Sequence, residues 1–162
     1  MPSAKSQKEG RISHIFTYGT LMSIASGDMG AAERALLSAY GERLGVAATS
    51  GRMFHAGACP GVVIGACCGG KVWGELWHLP RHVPELLVAL DRYEGCALDS
   101  PLPHPYARRK LRVRTPHGQR VTAWIYVWAK STHGLDAIPD GRWRGAARLA
   151  EKFDSDARIV AA

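Results

Sequence analysis

The segment Lys71-Val-Trp-Gly-Glu-Leu-Trp-His-Leu79 is the clearest β-strand in the sequence. Side chains alternate between the two faces of a strand, so Trp73, Glu75 and Trp77 share one face. Pro84 follows closely, and proline is favoured in the first turn of a helix. The segment therefore predicts a strand that is followed directly by a helix.

The remaining elements mix helices with strands. Tyr106–Arg114 and Arg120–Trp128 alternate around a Pro-His-Gly turn, which predicts a hairpin. A shorter strand, Ser13–Tyr18, ends at Gly19, and the apolar spacing from Met29 to Arg43 predicts a helix. This order favours an α+β fold, in which a curled antiparallel or mixed sheet carries helices on its outside.

Length and composition are those of one globular domain, with 162 residues of which 46% are hydrophobic and 22% charged. We expect the domain at residues 12–147, between a flexible tail at 1–11 and a C-terminal segment at 148–162 that resembles a peripheral helix. No apolar run approaches the roughly 20 residues that span a bilayer, and the N-terminus has no apolar core of a secretory signal. We therefore expect a cytoplasmic protein without a membrane partner.

Cysteine and histidine spacing gives no metal-binding pattern. The four cysteines are Cys59, Cys67, Cys68 and Cys96, and they match neither C-x-x-C nor a zinc motif. We interpret Cys67 and Cys68 as small buried thiols rather than as a redox site. His78 and His82 are four residues apart but straddle a strand-to-helix junction. Since glycine-rich phosphate loops are also missing from the sequence, we expect no metal and no cofactor.

The net charge of +7 raises a nucleic-acid hypothesis. The basic residues are scattered, apart from Arg108-Arg109-Lys110 with Arg112 and Arg114. Those residues lie in a predicted strand, and its solvated face is the simpler explanation for them. A nucleic-acid partner is therefore the less favoured interpretation.

Glu94 is the strongest candidate for chemistry. It lies four residues after Leu90, on the core-facing side of the predicted helix, and in the last turn, where the helix dipole disfavours acids. Burial and the dipole would both raise the pKa of its carboxyl group, which suits a general base or acid near neutral pH. The alternative is that Glu94 turns outward and pairs with Arg92, Arg108 or Arg109.

Two further groups are weaker candidates. The turn Tyr18-Gly19-Thr20-Leu21 follows a strand, and successive N–H groups in such a turn bind anions, although an ordinary turn is commoner. Glu75 is the rival acid. Its face with Trp73 is either the wall of an aromatic pocket or a solvated surface, and Tyr126 could line the same cavity. Core packing is the commoner use of such aromatic residues.

Five short motifs together resemble the gamma-glutamyl cyclotransferase-like family, which includes gamma-glutamylamine cyclotransferases and plant avirulence-induced proteins. In chain order they are Ile15-Phe-Thr-Tyr-Gly-Thr-Leu21, Val72-Trp-Gly-Glu-Leu-Trp77, Leu90-Asp-Arg-Tyr-Glu-Gly95, Tyr106-Ala-Arg108 and Ala123-Trp-Ile-Tyr-Val127. The later Ile138-Pro-Asp-Gly-Arg-Trp143 is similar to the segment that closes such domains, although Arg142 stands where relatives usually have a small or acidic residue. The resemblance covers about residues 13–145.

The resemblance implies a barrel-like mixed sheet of five to seven strands with flanking helices. It also implies a reaction in which the α-amine of a gamma-glutamyl amine, peptide or conjugate attacks its own γ-carbonyl, giving 5-oxoproline and an amine without a cofactor. Glu94 matches the catalytic glutamate, Tyr18–Leu21 the glutamyl-binding turn, and Tyr126 a late-strand tyrosine. Tyr106, with Trp73 and Glu75, is a further possible pocket residue.

The alternative within this family is a member that binds a small molecule without turning it over. A base at Glu94 is useful for turnover and is of no help to binding alone. Its presence therefore favours the enzyme.

Overall fold

The structure is a computed structural model, and it describes residues 11–65 and 69–145. The predicted tail before Arg11, the C-terminal segment at 148–162 and the Cys67–Cys68 pair lie outside the described residues. Neither described helix is long and apolar enough to cross a membrane. The described elements are β1 (His14–Thr17), α1 (Ala31–Tyr40), β2 (Glu42–Ser50), β3 (Arg52–Ala56), β4 (Cys59–Val63), β5 (Lys71–His78), α2 (Pro84–Tyr93), β6 (Tyr106–Arg114), β7 (Arg120–Trp128) and β8 (Ala137–Ile138).

Five of the strands close a barrel in the order β1-β5-β2-β6-β7. The barrel is mixed, because β1 meets β7 in parallel, at Ile15 and Trp124, whereas the other neighbours are antiparallel. The other three strands form a small sheet in the order β4-β3-β8. This architecture confirms the predicted α+β fold with a barrel-like mixed sheet and flanking helices.

The barrel wall has two apolar faces. Phe16 belongs to the cluster that fills the barrel, together with side chains from β2, β5, β6 and β7. Its neighbour Ile15 points the other way and packs with Leu37 of α1 and with Leu86 and Leu90 of α2. Alternation along β1 therefore supplies both the barrel interior and the surface on which the helices pack.

The predicted helix from Met29 to Arg43 is wrong at both ends. The observed helix α1 stops at Tyr40, and the chain enters β2 directly through the extended Gly41. The sequence did not predict β2, because the pairing register with β5 shifts between Arg43 and Gly45. Such a bulge interrupts the alternation of side chains by which a strand is detected.

Gly74 allows β5 to lie close against β1. A Cβ atom there would stand 2.1 Å from the carbonyl oxygen of Thr17 and 2.8 Å from the Phe16 ring. We predict that Gly74→Ala lowers the free energy of unfolding by about 3 kcal/mol, because the barrel wall must open to admit the methyl group. Urea denaturation measures this change.

Gly69→Ala is the matched control, since a Cβ atom there would meet no described atom within 4 Å. We expect it to change the free energy of unfolding by less than about 0.5 kcal/mol. Similar losses in both variants would contradict the packing argument.

Candidate active site

A cavity of about 180 Å³ opens where the end of α2 meets the turn after β1. Its volume is below the roughly 300–1,000 Å³ of pockets for drug-sized ligands, so it suits a group about as large as one amino acid. The fold brings most of the sequence-predicted site residues to its walls: Tyr18, Gly19, Thr20, Leu21, Glu94, Tyr106 and Tyr126.

The end of helix α2 places Glu94 in this cavity. The helix stops at Tyr93, and the N–H of Glu94 donates to the carbonyl of Leu90 at 2.9 Å. Gly95 then adopts a positive φ of 71°, which turns the chain away from the helix axis. Within the described residues the half-buried Glu94 carboxylate has no hydrogen bond or ion pair. Arg108, one of the outward partners considered for it, pairs with Asp91 at 2.9 Å instead.

The pKa of Glu94 is raised from 4.5 to about 8. Burial is the largest cause, followed by the negative charges of Glu33 on α1 and Asp91 on α2. A buried carboxyl group beside other acids favours its neutral form, since the ionised form loses hydration and is repelled. Glu94 can therefore take up and release a proton near neutral pH.

The turn after β1 presents backbone donors to the same cavity. The N–H of Met22 donates to the carbonyl of Gly19 at 3.0 Å and closes the turn. The N–H groups of Gly19, Thr20 and Leu21 donate to no other group in the described part of the chain. A Cβ atom at Gly19 would stand 2.7 Å from Pro60, so close packing requires glycine there. Three free N–H groups in succession suit a bound carboxylate.

Hydrogen bonds to three other elements hold this turn in place. The Tyr18 hydroxyl donates to the carbonyl of Tyr126 at 2.5 Å, and Nη1 of Arg34 donates to the carbonyl of Thr20 at 2.8 Å. Thr20 Oγ1 lies 2.7 Å from the Tyr93 hydroxyl. The turn is thus anchored to β7 and to both helices, which fixes the position of its backbone.

Neither Glu75 nor Trp73 lines the cavity. Glu75 is 0% exposed, and it accepts hydrogen bonds from the Ser23 N–H at 2.9 Å and the Ser23 hydroxyl at 2.8 Å. Arg43 pairs with it at 3.4 Å. Trp73 lines a different groove, on the β2–β6 side of the barrel. The Glu75 face packs against the loop after the turn, a long-range contact that strand alternation alone does not reveal.

Two phenols place hydrogen-bond acceptors beside Glu94. The Tyr126 hydroxyl donates to Oδ1 of Asp91 at 2.7 Å, and the Tyr106 hydroxyl donates to the carbonyl of Pro60 at 2.8 Å. Burial is the largest cause of a raised pKa in both, so both stay protonated. With their hydrogens committed, only lone pairs remain for a ligand. The walls of the cavity therefore include acceptors as well as the donors of the turn, a combination that complements a group carrying both an ammonium and a carboxylate.

Sequence reasoning missed Asp91, Tyr93, Cys59 and Pro60 as parts of this site. Asp91 lies three residues before Glu94, a spacing that places both on one side of a helix, so helical periodicity could have found it. Cys59 and Pro60 enter the wall from β4, and nothing local in the sequence signals that. Across residues 11–65 and 69–145, no three His, Cys, Asp or Glu side chains gather as metal ligands.

The family model described as "Gamma-glutamyl cyclotransferase, AIG2-like" matches residues 15–145. The chain therefore belongs to this family, which confirms the resemblance drawn from the five motifs. Among curated proteins, none matches the sequence.

Solved structures share the fold. An AIG2-like protein from Mus musculus has a TM-score of 0.61 at 23% identity, and the match covers 82% of this chain and 88% of that one. The protein ytfP from Escherichia coli has a TM-score of 0.54 at 27% identity, covering 81% and 96%. YkqA from Bacillus subtilis has a TM-score of 0.60 at 22% identity, and 88% of this chain spans 43% of that larger protein.

The raised pKa of Glu94 makes stability depend on pH. Because the folded-state value of about 8 lies above the ordinary 4.5, the native protein holds a proton that the unfolded chain has lost between these pH values. This contribution is fully present below pH 4.5 and is lost as the pH rises through 8.

We predict that the free energy of unfolding of the wild type falls relative to that of Glu94→Gln across this range, by at most about 5 kcal/mol. Chemical denaturation of both proteins from pH 5 to pH 9 measures the difference, and parallel stability profiles would contradict it.

Proposed function

We propose that this protein is a gamma-glutamyl cyclotransferase that converts a gamma-glutamyl amine, peptide or conjugate into 5-oxoproline and a free amine. One observation carries the proposal. An unpartnered carboxyl group with a pKa of about 8 shares an amino-acid-sized cavity with a turn of free N–H groups. Family membership over residues 15–145 supports the same reaction.

In this proposal the two ends of the cavity hold the two charges of the glutamyl group. The N–H groups of Gly19, Thr20 and Leu21 receive the α-carboxylate. Glu94 and the lone pairs of Tyr126 receive the α-ammonium. Fixing both ends brings the α-nitrogen toward the γ-carbonyl carbon, and such positioning supplies a large share of the acceleration in an intramolecular reaction.

Glu94 then carries protons from the nucleophile to the leaving group. Its pKa of about 8 is close to the ordinary value of about 7.7–8.0 for an α-amino group, so transfer between them is nearly balanced. The α-ammonium loses one proton to the ionised Glu94, and the resulting amine forms a bond to the γ-carbon. Glu94 gives this proton to the leaving nitrogen and passes on a second proton from the α-nitrogen, while the bond from the γ-carbon to the leaving nitrogen breaks. The amine departs as an ammonium, and the lactam nitrogen keeps one hydrogen. The carboxyl group ends as it began.

Glu94→Gln tests the assigned base. We predict that release of 5-oxoproline, measured over a panel of gamma-glutamyl amines and peptides, falls by about 10²–10⁴-fold in this variant, since a glutamine cannot accept the proton. Glu85→Gln, a change of the same kind at an exposed position in the first turn of α2, should keep full activity.

Activity that survives Glu94→Gln would contradict the assignment. Calorimetric binding of the same compounds to the wild type, without any 5-oxoproline, would instead establish a non-catalytic binding member of the family.

Removing the charge of Glu33 tests whether this charge raises the pKa of Glu94. Because its carboxylate helps to raise the pKa of Glu94, we predict that Glu33→Gln moves the acidic limb of the kcat/KM profile to lower pH. The limb reports the free enzyme, and any contribution from the substrate amine is the same in both proteins. Glu85→Gln again serves as the control. An unmoved limb, or one displaced to higher pH, would refute the role of Glu33.

A further inference from the structure

The fold gathers basic residues that are far apart in the sequence into one groove. This groove measures about 580 Å³, lies on the β2–β6 side of the barrel, and shares no lining residue with the active-site cavity. Its cations are Lys71, Arg112, Arg114 and Arg120. They come from three different strands, so the charge cluster is a product of the barrel.

The groove is a trough, and small side chains line its centre. Strand β2 pairs with β6 only at Ala48 and Arg114, and the side chains along its centre are small: Ala47, Ala48, Thr49 and Ser50. Arg114 and Arg120 lie directly opposite each other on β6 and β7. Arg112 follows on the same face of β6, about 7 Å along the strand. The cations therefore line the length of the trough instead of surrounding a point.

No acidic side chain neutralises this trough. None of its described lining residues is Asp or Glu, and its four cations are exposed and make no ion pair within residues 11–65 and 69–145. Arg108, which continues the row along β6, is the contrasting case, because Asp91 holds it. Clustered like charges repel one another, so each of these cations contributes attraction to an anionic partner.

We propose that this trough binds the phosphate backbone of single-stranded nucleic acid. A flat membrane surface cannot reach the floor of a concave trough, whereas a linear chain of phosphates can follow it. The aromatic ring of Trp73 already makes cation–π contacts, because Arg142 lies 4.3 Å and Lys71 5.3 Å from its ring centre. The contacts are therefore with phosphates and are independent of base sequence. The site is separate from the proposed cyclotransferase chemistry.

The test is fluorescence anisotropy with a labelled oligothymidylate of about 20 nucleotides, titrated with the full-length protein from about 50 to 200 mM salt. For the wild type, log K should fall linearly with log salt, because phosphate contacts release counterions. The triple variant Arg112→Gln, Arg114→Gln, Arg120→Gln should bind at least about tenfold more weakly, with a slope smaller by about 2, at roughly 0.7 for each lost contact.

The matched control removes the same charge from exposed positions outside the trough, as Arg11→Gln, Arg81→Gln, Lys130→Gln. It should keep the wild-type salt slope, and an unchanged thermal midpoint in both triples shows that folding is intact. If both triple variants bound the oligonucleotide equally weakly, net charge alone would explain the loss, and the proposal would be overturned. Failure of the oligonucleotide to bind at 50 mM salt would also overturn it. Tighter binding of poly-glutamate than of the oligonucleotide would overturn it too, and would show that the partner of the trough is an acidic protein segment.

Discussion

The Glu94 carboxyl group is half-buried and has no cation paired with it within the described residues, whereas Asp91, one turn earlier, does have one. Arg108 forms two hydrogen bonds with Asp91, one turn earlier on α2. If Arg108 paired with Glu94, its charge would hold the pKa of that carboxyl group low and remove its capacity as a base. With Asp91 paired, Glu94 keeps only negative neighbours and a buried surrounding. The chemistry proposed for the cavity depends on this choice of partner.

Three acids close to the barrel wall therefore have different tasks, set by their hydrogen bonds. Glu75 has both oxygens occupied by Ser23 and anchors the loop after the turn. Asp91 accepts from Arg108 and from the Tyr126 hydroxyl, so it fixes the orientation of a phenol in the cavity wall. Glu94 alone of the three has free oxygens within the described chain. An ionisable group without a structural partner inside a cavity is the arrangement expected of a catalytic acid or base.

Those parts of the fold and of the site that depend on local sequence patterns could be predicted from the sequence. The hairpin strands Tyr106–Arg114 and Arg120–Trp128 have the predicted bounds, because clean alternation and a short turn fix them. Glu94 was found from its spacing after Leu90. Strand β2 was missed because a bulge hides its period. The contribution of Glu33, the anchoring role of Glu75 and the basic trough all depend on contacts between distant segments, which local patterns do not contain.

Titration of the Glu94 carboxyl carbon by ¹³C NMR measures the pKa on which the proposed chemistry depends, with the signal assigned by its loss in Glu94→Gln. We predict a midpoint near pH 8, because the folded protein raises the pKa of Glu94 to about that value. A midpoint near the ordinary 4.5 would show an exposed or paired carboxylate, and would contradict its assignment as the proton carrier of this site.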